Sequence, residues 1–136
     1  IEYEGEWKQC VRDGRGTEYF GNGQIAYQGE WKEGKPDGWG IEYYDNGQIA
    51  YQGDWKEGEP DGWGTDYSES GRAVYEGEWK RGEEHGWGTQ FSYYDITFRT
   101  YTYLVQYRNG YQGGWKNGQW HGRGTEYDDN GKKQYR

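Results

Sequence analysis

The chain repeats itself at a nearly constant interval. A tyrosine recurs in steps of 24, 24, 24, 36 and 24 residues, at Tyr3, Tyr27, Tyr51, Tyr75, Tyr111 and Tyr135. A tryptophan follows each of the first five tyrosines after four residues, and a Gly-x-Gly pair begins seven residues after that tryptophan. Self-similarity with a period of roughly 20–50 residues indicates an array of units that pack mainly on their neighbours. The sequence therefore predicts one repeat array over residues 1–136, with units at about 3–26, 27–50, 51–74, 75–110 and 111–134.

The aromatic content decides whether such an array can fold. Leu, Ile, Val and Phe together supply only 12 of the 136 residues, and with a net charge of -8 this composition would be typical of disorder. The chain compensates with 16 tyrosines and 9 tryptophans. Because each buried aromatic ring removes roughly 150–250 Å² from water, we expect a folded chain with an aromatic core along the array.

The charge balance and the single cysteine exclude several classes of protein. Acidic residues outnumber basic ones by 24 to 16, which argues against nucleic-acid partners and disfavours association with an anionic membrane. Cys10 alone permits no internal disulfide, and no apolar run approaches the length of a membrane-spanning helix. The chain starts in mid-repeat at Ile1 and stops as a new unit would begin at Tyr135, so we expect it to be part of a longer protein.

Alternation within each unit predicts a β-hairpin. Residues alternate between apolar and polar along Tyr27–Lys32 and again along Gly38–Tyr43, which is the period of half-buried strands. The segments Lys35–Gly38 and Asp45–Gly47 have the composition of turns. No segment has helical periodicity, so the fold class is all-β. We expect the Tyr27–Trp31 side chains and the Trp39–Tyr43 side chains to share one face, because that leaves the other face uniformly polar.

The repeated frame Tyr-x-Gly-x-Trp-x-x-Gly-x-x-(His/Asp)-Gly-x-Gly resembles the MORN (membrane occupation and recognition nexus) repeat. Tyr75–Gly88 fits it at every defined position, and Tyr27–Gly40 fits it with Asp37 in place of histidine. The resemblance implies an elongated, twisted, single-layer antiparallel sheet of serial hairpins with a groove. It also implies a scaffold or partner-binding role in a cytoplasmic protein, with cytoskeletal or membrane association as further options. The family leaves open phosphoinositide or membrane-surface binding, and an accessory role beside a lipid kinase or methyltransferase domain.

No motif for catalysis, for a metal or for a cofactor stands apart from the repeat. His85 and His121 occupy equivalent positions of neighbouring units without a third ligand, and Asp128–Gly131 lacks the later ligands of a calcium loop. The Gly-x-Gly pairs precede no helix and are not nucleotide-binding loops. The acidic column of Glu6, Glu30, Asp54 and Glu78 is interpreted as a solvated surface with weak charge pairs. We therefore predict a non-enzymatic module.

The aromatic columns are the candidate binding site. We expect a protein partner, either a helix or an extended segment, to bind along a groove of aromatic side chains. The candidate residues are Trp39, Trp63, Trp87, Tyr43, Tyr67, Phe91, Tyr27, Tyr51 and Tyr75. The alternative for each of them is a purely structural place in the core, which the sequence favours for the three tyrosines that lead their units.

Two units depart from the pattern. Twelve extra residues fall within Ser92–Gly110, where the β-prone segment Thr97–Tyr107 predicts longer strands or a projecting hairpin, with an elongated loop as the alternative. If this insertion is specific to a partner, the candidate residues are Tyr94, Phe98, Tyr101 and Tyr103. In the first unit Cys10 replaces the turn glycine, so we expect a looser turn there.

Overall fold

A computed structural model describes residues 2–98, 101–128 and 131–135; the side chains of residues 94–98, 101–109 and 135 are outside that description. Its strands are β1 (Tyr3–Lys8), β2 (Val11–Tyr19), β3 (Ile25–Lys32), β4 (Lys35–Tyr43), β5 (Ile49–Lys56), β6 (Glu59–Tyr67), β7 (Ala73–Lys80), β8 (Glu83–Phe98), β9 (Tyr101–Lys116), β10 (Gln119–Tyr127) and β11 (Lys133–Tyr135). They form one antiparallel sheet in chain order. The part of the chain described here contains no helix, and hence none long and apolar enough to cross a membrane. The predicted all-β array of serial hairpins is confirmed.

The core is a single file of tyrosine and tryptophan rings on one face of the sheet. Tyr27 meets Trp31 of its own unit at 5.0 Å between ring centroids and Trp55 of the next unit at 5.3 Å, both edge to face. The same pair of contacts recurs at Tyr51 and Tyr75. The buried hydrophobic side chains among the described residues are Tyr3, Tyr27, Trp31, Tyr51, Trp55, Tyr75, Trp79, Tyr111 and Trp115. We call this side the core face.

Paired glycines let one layer of sheet bury these rings. Gly29 pairs with Gly40 in the neighbouring strand, and the phenol of Tyr27 lies directly over Gly40. A Cβ atom on Gly40 would overlap the Tyr27 hydroxyl, so the ring can lie flat on the sheet only where the side chain is a hydrogen. The rings are therefore covered by the backbone and by one another, and a second layer is not needed for them.

Both polar atoms of the core rings are satisfied. The hydroxyl of Tyr51 donates to the carbonyl of Asp54 at 2.9 Å, within its own strand. The indole Nε1 of Trp55 donates to the carbonyl of Gly40 at 3.1 Å, in the preceding unit. Because a buried donor without an acceptor costs about 1–3 kcal/mol, these bonds allow the tyrosine and tryptophan side chains to be buried here.

The hairpin turns lie two residues earlier than the sequence predicts. Glu33 and Gly34 are the turn residues, with φ of 51° and 84°, and Lys32 pairs with Lys35 across them. This is a two-residue turn with both residues in the left-handed region, a geometry that matches the twist of the flanking strands. Lys35–Gly38 is part of β4, so the prediction of a turn there is wrong. The first turn, Gln9–Cys10, has φ of 52° and 65°, and the expectation that it is looser is wrong as well.

The residues Asp37–Gly38–Trp39 form a bulge. Trp31 pairs with Pro36 and Gly29 with Gly40, so three residues of β4 stand opposite Glu30. Gly38 has a φ of 104°, which a side chain rarely tolerates. The Asp-Gly signal in this repeat therefore belongs to a bulge inside a strand.

The register places Trp39 and Tyr27 on opposite faces. Tyr27 pairs with Glu42, whereas Ile41 pairs with Gln28 and Trp39 pairs with Asp54. Since directly paired residues share a face and neighbours in a strand do not, Trp39 and Ile41 point away from the core face. The prediction that the two aromatic sets share a face is wrong. A two-residue turn always pairs an odd-numbered residue with an even-numbered one, and the two extra residues of the bulge preserve that parity.

The insertion consists of two long strands. β8 and β9 each contain 16 residues and stay paired from Ser92 with Tyr107 to Phe98 with Tyr101. Seven additional residue pairs at about 3.3 Å each extend the hairpin roughly 20 Å beyond the neighbouring turns. Trp115 still meets Tyr75 at 5.0 Å, so the aromatic file passes the insertion without a gap.

Candidate interaction surface

Three tryptophans stand in one row on the side opposite the core. Trp39, Trp63 and Trp87 occupy equivalent positions of β4, β6 and β8, and their exposed fractions are 48%, 50% and 50%. We call this side the tryptophan face. Because the core is complete on the other side, the fold does not depend on these indoles for its main burial. Large apolar side chains that recur in the open on one surface are typical of an interaction site.

A carboxylate is the direct cross-strand partner of two indoles of the row, whereas Trp87 pairs with Gly114. Trp39 pairs directly with Asp54, and Trp63 with Glu78. Exposed Gln28 and the half-buried side chains of Thr17, Ile41 and Gln52 form the adjacent row. A shallow recess lies between Trp39 and Arg15 over Gln28. The face thus offers flat apolar rings alternating with negative charge.

The carboxylates also hold the bulges in place. Glu30 accepts a hydrogen bond from the backbone N–H of Trp39 at 2.6 Å, and Asp54 accepts one from the N–H of Trp63 at 3.0 Å. Glu6 and Glu78 make the same contact in their units. The interpretation of this column as merely solvated was incomplete. The signal for it is in the sequence, where an acidic residue precedes the residue between the paired glycines by nine positions in four units.

The other candidate residues divide between the two sides of the sheet. Tyr27, Tyr51 and Tyr75 are 3%, 3% and 1% exposed and belong to the core face, where only a ring edge could meet a partner. Tyr43, Tyr67 and Phe91 are half-buried beside irregularities at the inter-unit side of the sheet, where Tyr43 pairs with Ile49. The backbones of Tyr94, Phe98, Tyr101 and Tyr103 lie in β8 and β9, and their side chains are outside the described residues.

Cations lie at the margins of the tryptophan face. Arg15 takes the place of the indole in the first unit and Arg123 in the last, and both are exposed. Lys32 and Lys56 follow Glu30 and Asp54 by two residues on the same strands, towards the hairpin turns. Within the described residues these cations form no continuous basic surface, because Lys32 and Lys56 each have a carboxylate two residues away on the same strand.

The carboxyl group of Asp66, half-buried on the core face, has an unusual environment. Asp66 stands between Tyr51 and Tyr75, and its Oδ1 has no hydrogen-bond partner. Burial, with a smaller contribution from the negative charge of Glu84, raises the pKa of Asp66 to about 6. Burial likewise raises the pKa of the Tyr51 and Tyr75 phenols far above their ordinary value.

No three His, Cys, Asp or Glu side chains in the described part of the chain are arranged to hold a metal ion. His85 and His121 remain on the repeating positions that the frame assigns to them. What the tryptophan face presents is an apolar and acidic surface without a deep cavity.

Comparison with known proteins identifies the repeat. The family model described as MORN repeat matches residues 3–25, 27–49, 51–65, 75–91 and 111–133, which together make up more than half of the chain. No curated protein matches it. MORN repeats are non-catalytic modules that serve in interaction and in membrane binding. The five matches coincide with the units that carry the aromatic file, and the chain belongs to the MORN repeat family.

Proposed function

We propose that this array is a non-enzymatic scaffold module that binds a protein segment along its tryptophan face. The observation that carries the proposal is the row of Trp39, Trp63 and Trp87, half-exposed on a face that the core does not use. Tryptophan is the residue type most enriched among interface residues with large binding energies. Three equivalent indoles on alternate strands offer such residues at regular intervals.

The site differs from the groove that the sequence predicts. The leading tyrosines are nearly fully buried in the file of rings and contribute stability. The partner surface is therefore narrower, and consists of the indole row with its carboxylates. Tyr43, Tyr67 and Phe91 border it as half-buried neighbours.

Binding to phosphoinositides or to an anionic membrane is the second candidate. The family includes such modules, and Lys32, Lys56 and Lys80 form a row on this face. The carboxylates of Glu30, Asp54 and Glu78 precede these lysines by two residues on the same strands and so lie between the lysines and the indoles. The chain as a whole carries a net charge of -8. Repulsion between these groups and anionic headgroups favours the protein partner. A cytoplasmic location fits either role and is part of the proposal.

An affinity capture from source lysate tests the scaffold role. The bait is the intact array, and the matched bait carries Trp39→Ala, Trp63→Ala and Trp87→Ala together, after its folding has been verified by circular dichroism. We expect a specific protein on the first bait that is absent from the second. Equal capture by both baits would show that the tryptophan face is not the site. Vesicles containing anionic lipid form the second arm, and binding that the triple variant loses would favour the membrane role.

A further inference from the structure

We propose that the occupant of the tryptophan face is a basic, proline-rich segment in the polyproline II conformation, lying across the strands. This inference rests on the proposed function, since it names the partner class for the same surface. It is carried by the spacing of the indoles and by the charges between them.

The indole spacing matches one turn of polyproline II. Trp39, Trp63 and Trp87 lie on β4, β6 and β8, so successive indoles are two strands apart. With strands about 4.8 Å apart, this separation is roughly 9.6 Å. A polyproline II helix has three residues per turn and rises about 3.1 Å per residue, so equivalent side chains recur every 9.3 Å or so. From Trp39 to Trp87, the indole spacing and the polyproline II repeat therefore differ by only about 0.6 Å in total.

Other ligand conformations fit this row less well. An extended β-strand presents side chains on one side every 6.7 Å or so, so three steps reach from Trp39 to Trp87 but no side chain coincides with Trp63 between them. On an α-helix, a side chain returns to nearly the same face after seven residues, about 10.5 Å, and the mismatch grows to about 2 Å across the row.

The sheet surface offers the ligand side chains and no backbone pairing. The backbone groups of β4, β6 and β8 are engaged in the ladders to their neighbours. A ligand in the middle of this face therefore finds no row of donors and acceptors. A polyproline II segment keeps its backbone hydrogen-bonded to water, so it loses no backbone hydrogen bonds by lying on this face. A segment that needs strand pairing would bind at a sheet edge instead.

The charges in the row select a basic ligand. Asp54 and Glu78 are exposed directly beside Trp39 and Trp63, and a carboxylate that accepts one backbone N–H keeps further acceptor sites. An arginine between two prolines can reach such a carboxylate or lie over an indole face. Arg15 and Arg123 close the row at its two ends, so the basic residues belong in the central three turns of the ligand, about nine residues.

Synthetic peptides test the occupant directly. The probe is a fluorescein-labelled peptide of four Pro-Pro-Arg repeats, and its binding to the whole chain is followed by fluorescence anisotropy at low and high salt. Four Gly-Gly-Arg repeats keep the charge and remove the conformation, and four Pro-Pro-Glu repeats keep the conformation and reverse the charge. We expect the first peptide to bind at least about tenfold more tightly than either control.

Matched variants locate the peptide on the array. Trp63→Ala removes the central indole, and Trp7→Ala removes an indole that is more exposed, at 57%, but lies beside Tyr3 on the core face. Asp54→Asn removes the charge and keeps an acceptor for the Trp63 N–H. We expect a loss of about tenfold or more for Trp63→Ala, less than about twofold for Trp7→Ala, and a weaker salt dependence for Asp54→Asn.

The outcomes separate this inference from the proposed function. Equal binding of the Gly-Gly-Arg peptide, or equal losses for Trp63→Ala and Trp7→Ala, would overturn the polyproline II ligand. If no peptide binds while the intact array still captures a protein that the triple tryptophan variant loses, the scaffold role stands and the occupant is wrong. If neither peptide nor protein binds, both proposals fail. If anionic vesicles bind the intact array and not the triple tryptophan variant, the occupant of the tryptophan face is a membrane surface and the peptide proposal is wrong.

Discussion

The indole of Trp79 donates a hydrogen bond of 3.0 Å to the carbonyl of Gly64, in the unit before its own. The same glycine carries the phenol of Tyr51 on its open side. One residue without a side chain thus serves as the platform for one ring and the acceptor for another. This relationship repeats from unit to unit, at Trp31 with Gly16, Trp55 with Gly40 and Trp115 with Gly88.

Gly64→Ala is expected to destabilise the array strongly. The new methyl group would overlap the Tyr51 ring, which has no free space to move into between Trp55 and Trp79. Overpacking of this kind costs about 1–3 kcal/mol, and more where the neighbours are fixed. Thermal unfolding followed by circular dichroism measures the effect. The control is Gly21→Ala in an inter-unit turn, where nothing lies within 4 Å of the new atom and stability should change by less than about 0.5 kcal/mol.

Trp79→Ala and Trp63→Ala are expected to separate stability from binding. Trp79 is 8% exposed and part of the ring file, so its loss should cost about 3–5 kcal/mol of unfolding free energy. Trp63 is 50% exposed on the other face, and its loss should cost roughly 1 kcal/mol or less while it weakens partner binding. Denaturant unfolding and the capture experiment give the two quantities. A melting point for Trp63→Ala as low as that for Trp79→Ala would place Trp63 in the core.

Asp66 is expected to make the array less stable as the pH rises from about 4 to about 6. Burial raises its pKa from 3.8 to about 6, so the folded state binds the proton more tightly than the unfolded state does. The resulting stabilisation is complete below pH 4 and is lost above pH 6. With allowance for partial solvent contact, its size is about 1–2 kcal/mol. The groups that face Asp66 are the carboxylate of Glu84 and the phenols of Tyr44, Tyr51 and Tyr75.

Asp66→Asn should remove this dependence. The amide resembles the protonated acid, so the variant should be more stable than the parent at pH 7–8 and equal to it near pH 4. Denaturant midpoints across this range provide the comparison, with Asp45→Asn at an exposed turn as the control. A parent protein whose stability relative to Asp66→Asn stays constant from pH 4 to 8 would contradict the raised pKa.

Removal of the long hairpin is expected to leave the array folded. Residues 92–108 can be replaced by Tyr-Asp-Asn-Gly-Gln, the sequence of residues 44–48, which restores the 24-residue step. The contact between Tyr75 and Trp115 closes the aromatic file independently of the hairpin tip. In an array stabilised by contacts between neighbouring units, this deletion should preserve the circular-dichroism signal of the β-strands. The melting temperature should change by only about a few degrees. Loss of the strand signal over the whole chain would show that the hairpin is required for folding.

The repeat itself could be predicted from the sequence. The recurring Tyr-x-Gly-x-Trp frame determines the hairpin units, the family and the aromatic core, because the pattern is local and repeats five times. The same pattern indicates that the leading tyrosines are core residues, and Tyr27 at 3% exposure confirms it. The insertion was recognisable as an addition, and the structure selects paired strands over a loop.

Only the tertiary structure decided which face each tryptophan occupies. Turn position and bulge size set the pairing of Tyr27 with Glu42 instead of Ile41, and a shift of one residue would have turned Trp39 towards the core. The composition of Lys35–Gly38 is compatible with a turn or with a bulge, and the pairing between β3 and β4 selects the bulge, which the Glu30 carboxylate stabilises by binding the Trp39 N–H. Local sequence fixes the elements of this protein, whereas contacts between strands fix the register and, with it, the surface that is left open to a partner.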